Sequence, residues 1–350
     1  MRFRFIVLLA AAACSRSSTE APAVALPAPT ALPSGSVALA KPPPPPPEPT
    51  ADPSTQVAAP APVPGIPPGG FLVPGPMNPP LPAQFASNLV HSVQLDADHA
   101  YYTDSRGFLW SSPKDGSAKP TQVAARAMMF FVDATTVTYV SGKSVMRVAK
   151  TGGTPTTLVT EHEDPVHIVT DGTSIFYSLF DGTPIRKLPY AGGASVAIHP
   201  GIKSGALAVD AQYLYVADYS KGTVTRVAKA GGTPTLVASV STGVGLLVDE
   251  KFLYVTSEKD GSVRRVPKAG GTVDVLARGA VNHDQPAQDA TYVYWTSGGQ
   301  DMALFRAKKD ATGRPEMVHS VVGNPNQIAL DETRFFVTGN NGVMVFPKTP

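Results

Sequence analysis

From residue 82 to the C-terminus, one pattern of about 40 residues is written seven times. Each copy opens with a short apolar segment closed by an aspartate, and these aspartates are Asp96, Asp133, Asp171, Asp210, Asp249, Asp289 and Asp331. The intervals between them are 37, 38, 39, 39, 40 and 42 residues. The cleanest copy runs from Leu207 to Ser239. It has an apolar strand ending at Asp210, then Leu214-Tyr215-Val216-Ala217-Asp218, a Lys221-Gly222 turn, Thr223 to Lys229 around Arg226, and Gly231-Gly232-Thr233-Pro234 leading into Leu236-Val237-Ala238. Short strands of β-branched and aromatic residues, separated by glycine turns at this period, are the mark of a β-propeller. The expected fold is all-β: seven blades of four antiparallel strands, a to d. A six-bladed ring with one degenerate copy is the alternative.

Each copy supplies four strand signals. Strand a is short and apolar, as in Phe130-Phe131-Val132, Ile168-Val169-Thr170, Leu246-Leu247-Val248 and Ile328-Ala329-Leu330. Strand b alternates around aromatics, as in Leu253-Tyr254-Val255 and Val293-Tyr294-Trp295-Thr296, which suits a strand half-buried between neighbouring blades. Strand c carries Arg147, Arg186, Arg226, Arg265 and Arg306, whose recurrence favours a structural pairing within or between blades. Lysines near the c–d turns (Lys150, Lys229, Lys268, Lys308) read as a solvated rim. The last copy stops after strand c at Val343 to Phe346, without a strand d. The segment Pro82-Ala83-Gln84-Phe85-Ala86 precedes the first strand a by the offset of a strand d, so the N-terminal segment is expected to close the ring as the missing outer strand.

Residues 1–81 are different material. Arg2 and Arg4, the uncharged run Phe5 to Ala13 and small residues before a cleavage point make an export signal, too short to span a bilayer. Ala11-Ala12-Ala13-Cys14 resembles the lipobox of bacterial lipoproteins, with Ala11 where leucine is usual. The resemblance implies lipidation of Cys14, a signal peptide over 1–13 and, with Ser15 after the cysteine, an outer-membrane address. Cys14 is the only cysteine, so no disulfide staples the domain. Residues 15–82 hold 22 of the 36 prolines and five charged residues, and read as a disordered tether over 14–81. In polyproline form, at about 3.1 Å per residue, its contour is on the order of 200 Å.

Tyr294-Trp295-Thr296-Ser297, Tyr101-Tyr102-Thr103-Asp104 and Tyr215-Val216-Ala217-Asp218 resemble the YWTD repeats of low-density-lipoprotein-receptor propellers, and are similar to bacterial YVTN and NHL-type repeats. The resemblance covers residues 82–350 and implies an architecture, since the motif consists of structural residues.

In a propeller the b–c and d–a connections share one face around the channel mouth, where ligands usually sit. The repeat register places His162, Asp164, His167, His283, Asp284, Gln285 and Gln327 there, with Glu161-His162-Glu163-Asp164 and His199 nearby. Imidazoles and carboxylates converging from several blades would hold a divalent metal or form an acid–base pair. Streptogramin-lyase-like propellers use a channel-mouth histidine with Mg²⁺ and lactonase-like ones hold Ca²⁺. No window of this chain matches either set residue by residue.

The net charge of +2 is spread over the blades, which argues against nucleic acid. No nucleophile elbow, phosphate-cradling loop or CxxC pair is present. The expectation is therefore a monomeric, non-enzymatic envelope lipoprotein, membrane-bound through Cys14, that binds a protein, peptide or glycan at the channel mouth. No cofactor is expected. A metal-assisted lyase or hydrolase at the same mouth is the alternative.

Overall fold

The computed structural model describes residues 90–202, 205–241, 243–279, 285–298 and 302–348, with only the backbone of Gly243 and Val244. The signal peptide, Cys14, the tether and the expected closing strand at 82–86 lie outside the described residues, as do His283 and Asp284.

The seven copies form seven antiparallel sheets in a ring, a seven-bladed propeller. Blades 1 to 6 each show four strands in order a-b-c-d, and blade 7 shows three among the described residues. Blade 4 is representative: strands at Gly205–Val209, Tyr213–Asp218, Thr223–Ala228 and Thr235–Ser239. Strand a takes the expected apolar segments, from Phe130–Val132 in blade 2 to Ile328–Leu330 in blade 7. Because successive strands run in opposite directions, the a–b and c–d turns share one face and the b–c and d–a loops share the other.

Seven apolar clusters fill the seven gaps between blades. Strand b supplies both sides of each gap because its side chains alternate. Tyr101 enters the cluster with Phe130 and Val148 of blade 2, while Tyr102 enters the one with Phe336 and Val345 of blade 7. This last cluster closes the circle between the first and last blades within the described residues.

The anchor aspartates end strand a for a local reason and join blades for a long-range one. Asp96 Oδ1 accepts the N–H groups of Asp98 and His99, which fixes the a–b turn, and its Oδ2 accepts the Tyr101 hydroxyl at 3.0 Å. The same Oδ2 lies 2.7 Å from Lys150 Nζ of the next blade. The contact recurs around the ring: Lys229–Asp171 at 2.5 Å, Lys268–Asp210 at 2.5 Å, Lys309–Asp249 at 3.4 Å, Lys348–Asp289 at 2.9 Å, and Lys114–Asp331 at 3.2 Å between blades 1 and 7. At the seventh position Tyr190 stands in the lysine slot and donates its hydroxyl to Asp133. The lysines near the c–d turns are therefore a ring of inter-blade latches rather than a solvated rim. In blade 6 the latch is Lys309, and Lys308 is exposed.

Strand c completes the pattern. Arg226 Nη1 donates to the Lys268 carbonyl at 2.7 Å and Arg265 Nη1 to that of Lys309 at 2.5 Å, each reaching the next blade. Arg147, Arg226, Arg265 and Arg306 also lie over aromatic rings. In blade 3 the equivalent residue is Lys187, paired with Phe176 as Arg226 is with Tyr215, and its Nζ donates to the Lys229 carbonyl at 3.0 Å. Arg186 instead turns toward Glu161, at 3.9 Å. The Gly-Gly turns let one blade approach the outer strand of the previous one. A Cβ on Gly192 would lie 3.3 Å from the Leu158 carbonyl oxygen, and Gly192 sits at φ +91°.

Candidate channel-mouth interface

The innermost strand of each blade leaves N–H and C=O groups unpaired toward the channel, and these need partners. Glutamines supply several. Gln94 Nε2 donates to the Phe130 carbonyl at 2.6 Å while its Oε1 accepts Val132 N–H at 3.1 Å. Gln327 Oε1 accepts Val93 N–H at 2.7 Å, Gln285 Oε1 accepts Leu246 N–H at 3.4 Å, and Gln288 Nε2 donates to the Val248 carbonyl at 3.0 Å. Gln285 and Gln327, placed at the mouth by the repeat register, thus act as clamps between inner strands.

The Glu161–Asp164 run is divided by the structure. Glu161 turns inward, with 7% of its side chain exposed, and accepts the Tyr177 hydroxyl at 2.5 Å and the Ser195 hydroxyl at 2.7 Å. His162 turns outward and meets Asp181 at 3.0 Å. Asp164 lies in the loop before strand a of blade 3 (Pro165–Thr170), and its carbonyl accepts Phe180 N–H at 2.9 Å. His167 pairs across the sheet with Ser178, has no hydrogen-bond partner among the described residues, and is held neutral by burial, its pKa lowered to about 4. The Ser178 hydroxyl is buried and also unpartnered. His199 is buried, with Nε2 3.1 Å from Thr225 Oγ1, and desolvation lowers its pKa. Among the described residues, no three His, Cys, Asp or Glu side chains converge in a way that would hold a metal ion.

The mouth face also presents apolar side chains. Six large hydrophobic residues stand out as exposed among the described residues. Val196, Leu236 and Val275 lie on outer strands. Met128 (53% exposed), Phe180 (69%) and Val322 (68%) lie on mouth-face loops of three different sectors. None lies on the latch face. Phe180 and Val322 escape a reading that looks for polar chemistry. Phe180 occupies a turn slot that holds Ser105 in blade 1, Tyr219 in blade 4 and Asn340 in blade 7, and a wholly apolar side chain in such a slot is the signal that would have found it.

No family model matches this chain, and no curated protein does. Solved structures do. The chain is similar to a catalytically inactive virginiamycin B lyase from Staphylococcus aureus solved with quinupristin, at TM-score 0.61 and 14% identity over 76% of this chain and 96% of that one. It is also similar to YCF48 from Cyanidioschyzon merolae, at 0.57 and 15% over 76% and 96%, and to YCF48 bound to a D1 peptide, at 0.59 and 14% over 80% and 97%. At these identities the likeness is one of fold.

Proposed function

We propose that this chain is a non-enzymatic binding or scaffold module of a bacterial cell envelope, tethered through Cys14, that engages a protein or peptide on its channel-mouth face. The observation that carries the reading is the asymmetry of the two faces. One is occupied by the inter-blade latches. The other holds Met128, Phe180 and Val322 in water on loops built over a rigid ring. Exposed apolar side chains on fixed loops offer a partner area whose burial is favourable and costs little ordering. Propellers of similar fold have been solved with a D1 peptide and with quinupristin, so the architecture accommodates such a role.

The test is crosslinked co-purification of the full-length protein from its native membranes, read by mass spectrometry. Wild type is compared with Cys14→Ala and with a Met128→Ser/Phe180→Ser/Val322→Ser variant. The expected result is one abundant protein partner, depleted by the triple variant at unchanged thermal stability. An identical partner profile in the triple variant, or no enriched partner in the wild type, would overturn the assignment.

A further inference from the structure

Blade 3 differs from its neighbours at the mouth. Where strand b ends in an aspartate, or the b–c turn contains one, that carboxylate is paired: Asp104 with Arg106 at 2.9 Å, Asp218 with Lys221 at 3.2 Å, and Asp260 with Arg264. Blade 3 ends its strand b (Ser174–Leu179) in leucine, and Phe180 and Asp181 follow.

The loops around Phe180 are stitched together. Phe180 N–H donates to the Asp164 carbonyl at 2.9 Å, and Gly182 N–H to that of Leu179 at 3.1 Å. Asp181 Oδ1 accepts Thr183 N–H at 3.0 Å while its Oδ2 meets His162 Nε2 at 3.0 Å. Lys143 Nζ reaches the His162 carbonyl at 2.6 Å, and Glu163 Oε1 accepts Asp164 N–H at 3.1 Å. Phe180 is thus held in water by a fixed backbone. Glu163 and Asp164 make no ion pair among the described residues and Asp181 meets only the His162 imidazole, so three carboxylates stand against the one ammonium of Lys143.

We propose that this blade-3 corner docks a basic segment of a protein partner, with an arginine or lysine stacked over Phe180 and its charge facing Asp164 and Asp181. The inference rests on the mouth-face reading and specifies its chemistry. An aromatic face attracts a cation through its quadrupole, most strongly when the cation is partly desolvated. Carboxylates without a lysine or arginine partner in the adjoining loops steer and orient the same cation. An acidic segment would meet repulsion here, and an uncharged one would leave the carboxylates uncompensated.

The probe is an acetylated, amidated Gly-Arg-Leu-Arg-Gly peptide carrying a neutral dye, with counterparts in which citrulline or glutamate replaces arginine. Binding to the full-length protein in detergent is read by fluorescence anisotropy. The arginine peptide is expected to bind about 10-fold tighter than the citrulline peptide, a preference lost in Phe180→Ser and in Asp164→Asn/Asp181→Asn. Its affinity should also weaken as salt rises from about 0.05 to 0.3 M. Equal binding of the arginine and citrulline peptides, or an arginine preference that survives both variants, overturns the proposal. If the basic peptides fail while the membrane partner is still lost from the triple mouth variant, the charge assignment falls and the mouth-face reading stands.

Discussion

The latch between blades 1 and 2 can be measured as a coupling energy. Asp96 and Lys150 are 21% and 17% exposed and 2.7 Å apart, so the pair is neither a surface ion pair nor a fully buried one. At an effective dielectric of about 20, two charges at this separation attract by roughly 6 kcal/mol before desolvation is subtracted. Exposed pairs retain about 0.2–1 kcal/mol, and breaking buried ones costs about 3–5 kcal/mol. A coupling of about 1–2 kcal/mol is expected. Asp96→Asn keeps an oxygen for the two turn N–H groups while removing the charge, and Lys150→Met keeps most of the stem over the Tyr101 ring, 5.6 Å from the ammonium. Asp96→Asn should cost about 2–3 kcal/mol and Lys150→Met about 1–2 kcal/mol, because only the first also weakens the acceptor of the Tyr101 hydroxyl. The assay is urea unfolding of wild type, both single variants and the double variant, with unchanged m-values as the condition for comparison. Single effects that add to within about 0.5 kcal/mol would show the latch to be ornamental.

Acid should loosen the same ring. Partial burial raises the carboxyl pKa values of Asp96 and Asp133, but hydrogen bonds from Lys150 and turn N–H groups in one, and from Thr136, Tyr190 and turn N–H groups in the other, outweigh it and bring both to about 2. Asp331 is held at about 2 by its turn N–H groups and Lys114, again against burial. A depressed folded-state pKa stabilises above the unfolded value of 3.8 and loses that contribution as pH falls toward 2. The urea midpoint should therefore drop between about pH 4 and pH 2, and a flat profile there would contradict the assignment. Ser178→Ala removes a buried hydroxyl without a partner and should stabilise by roughly 1 kcal/mol, seen as a raised melting temperature; a loss of stability would mean that the hydroxyl has a bound partner. Gly261→Ala would put a Cβ 1.7 Å from the Gly279 carbonyl oxygen at φ +60°, so it should destabilise by about 2–4 kcal/mol in the same urea assay.

The blade count and strand order were legible because they are local. Each Asp-turn closes within three residues and each Gly turn within two, so a 40-residue window contains everything needed to recognise them. The latches were not legible in the same way. Lys150 bonds Asp96 from 54 residues away, across a blade boundary, and a periodic array of lysines and aspartates does not say which repeat each one reaches. Residue type also misled. Arg186 looks like the strand-c arginine of blade 3, yet the sheet register gives that place to Lys187, and a tyrosine at 190 does the work of a lysine. The candidate site was harder still. The register puts Gln285 and Gln327 just before the inner strands as candidate ligands, but an edge strand's need for hydrogen-bond partners absorbs their oxygen atoms.

That division follows from how a propeller is stabilised. A residue that must satisfy a neighbouring blade recurs at the repeat period, because every blade boundary poses the same problem. A residue that serves a ligand is needed once and appears as a break in the period. Tyr190 and Lys187 break it in type but not in role, since each still bonds the adjacent blade. Phe180 breaks it in role, because it is 69% exposed and, unlike Tyr219 in the same slot of blade 4, whose hydroxyl reaches Glu258 at 3.4 Å, its side chain bonds no adjacent blade among the described residues. By this criterion the Phe180 turn is the candidate break in the ring, and replacing its Phe180–Asp181 pair with the Asn340–Asn341 pair of the corresponding blade-7 turn should leave the fold intact while abolishing the basic-peptide preference. Retained preference in that chimaera would mean that the break in the period is incidental.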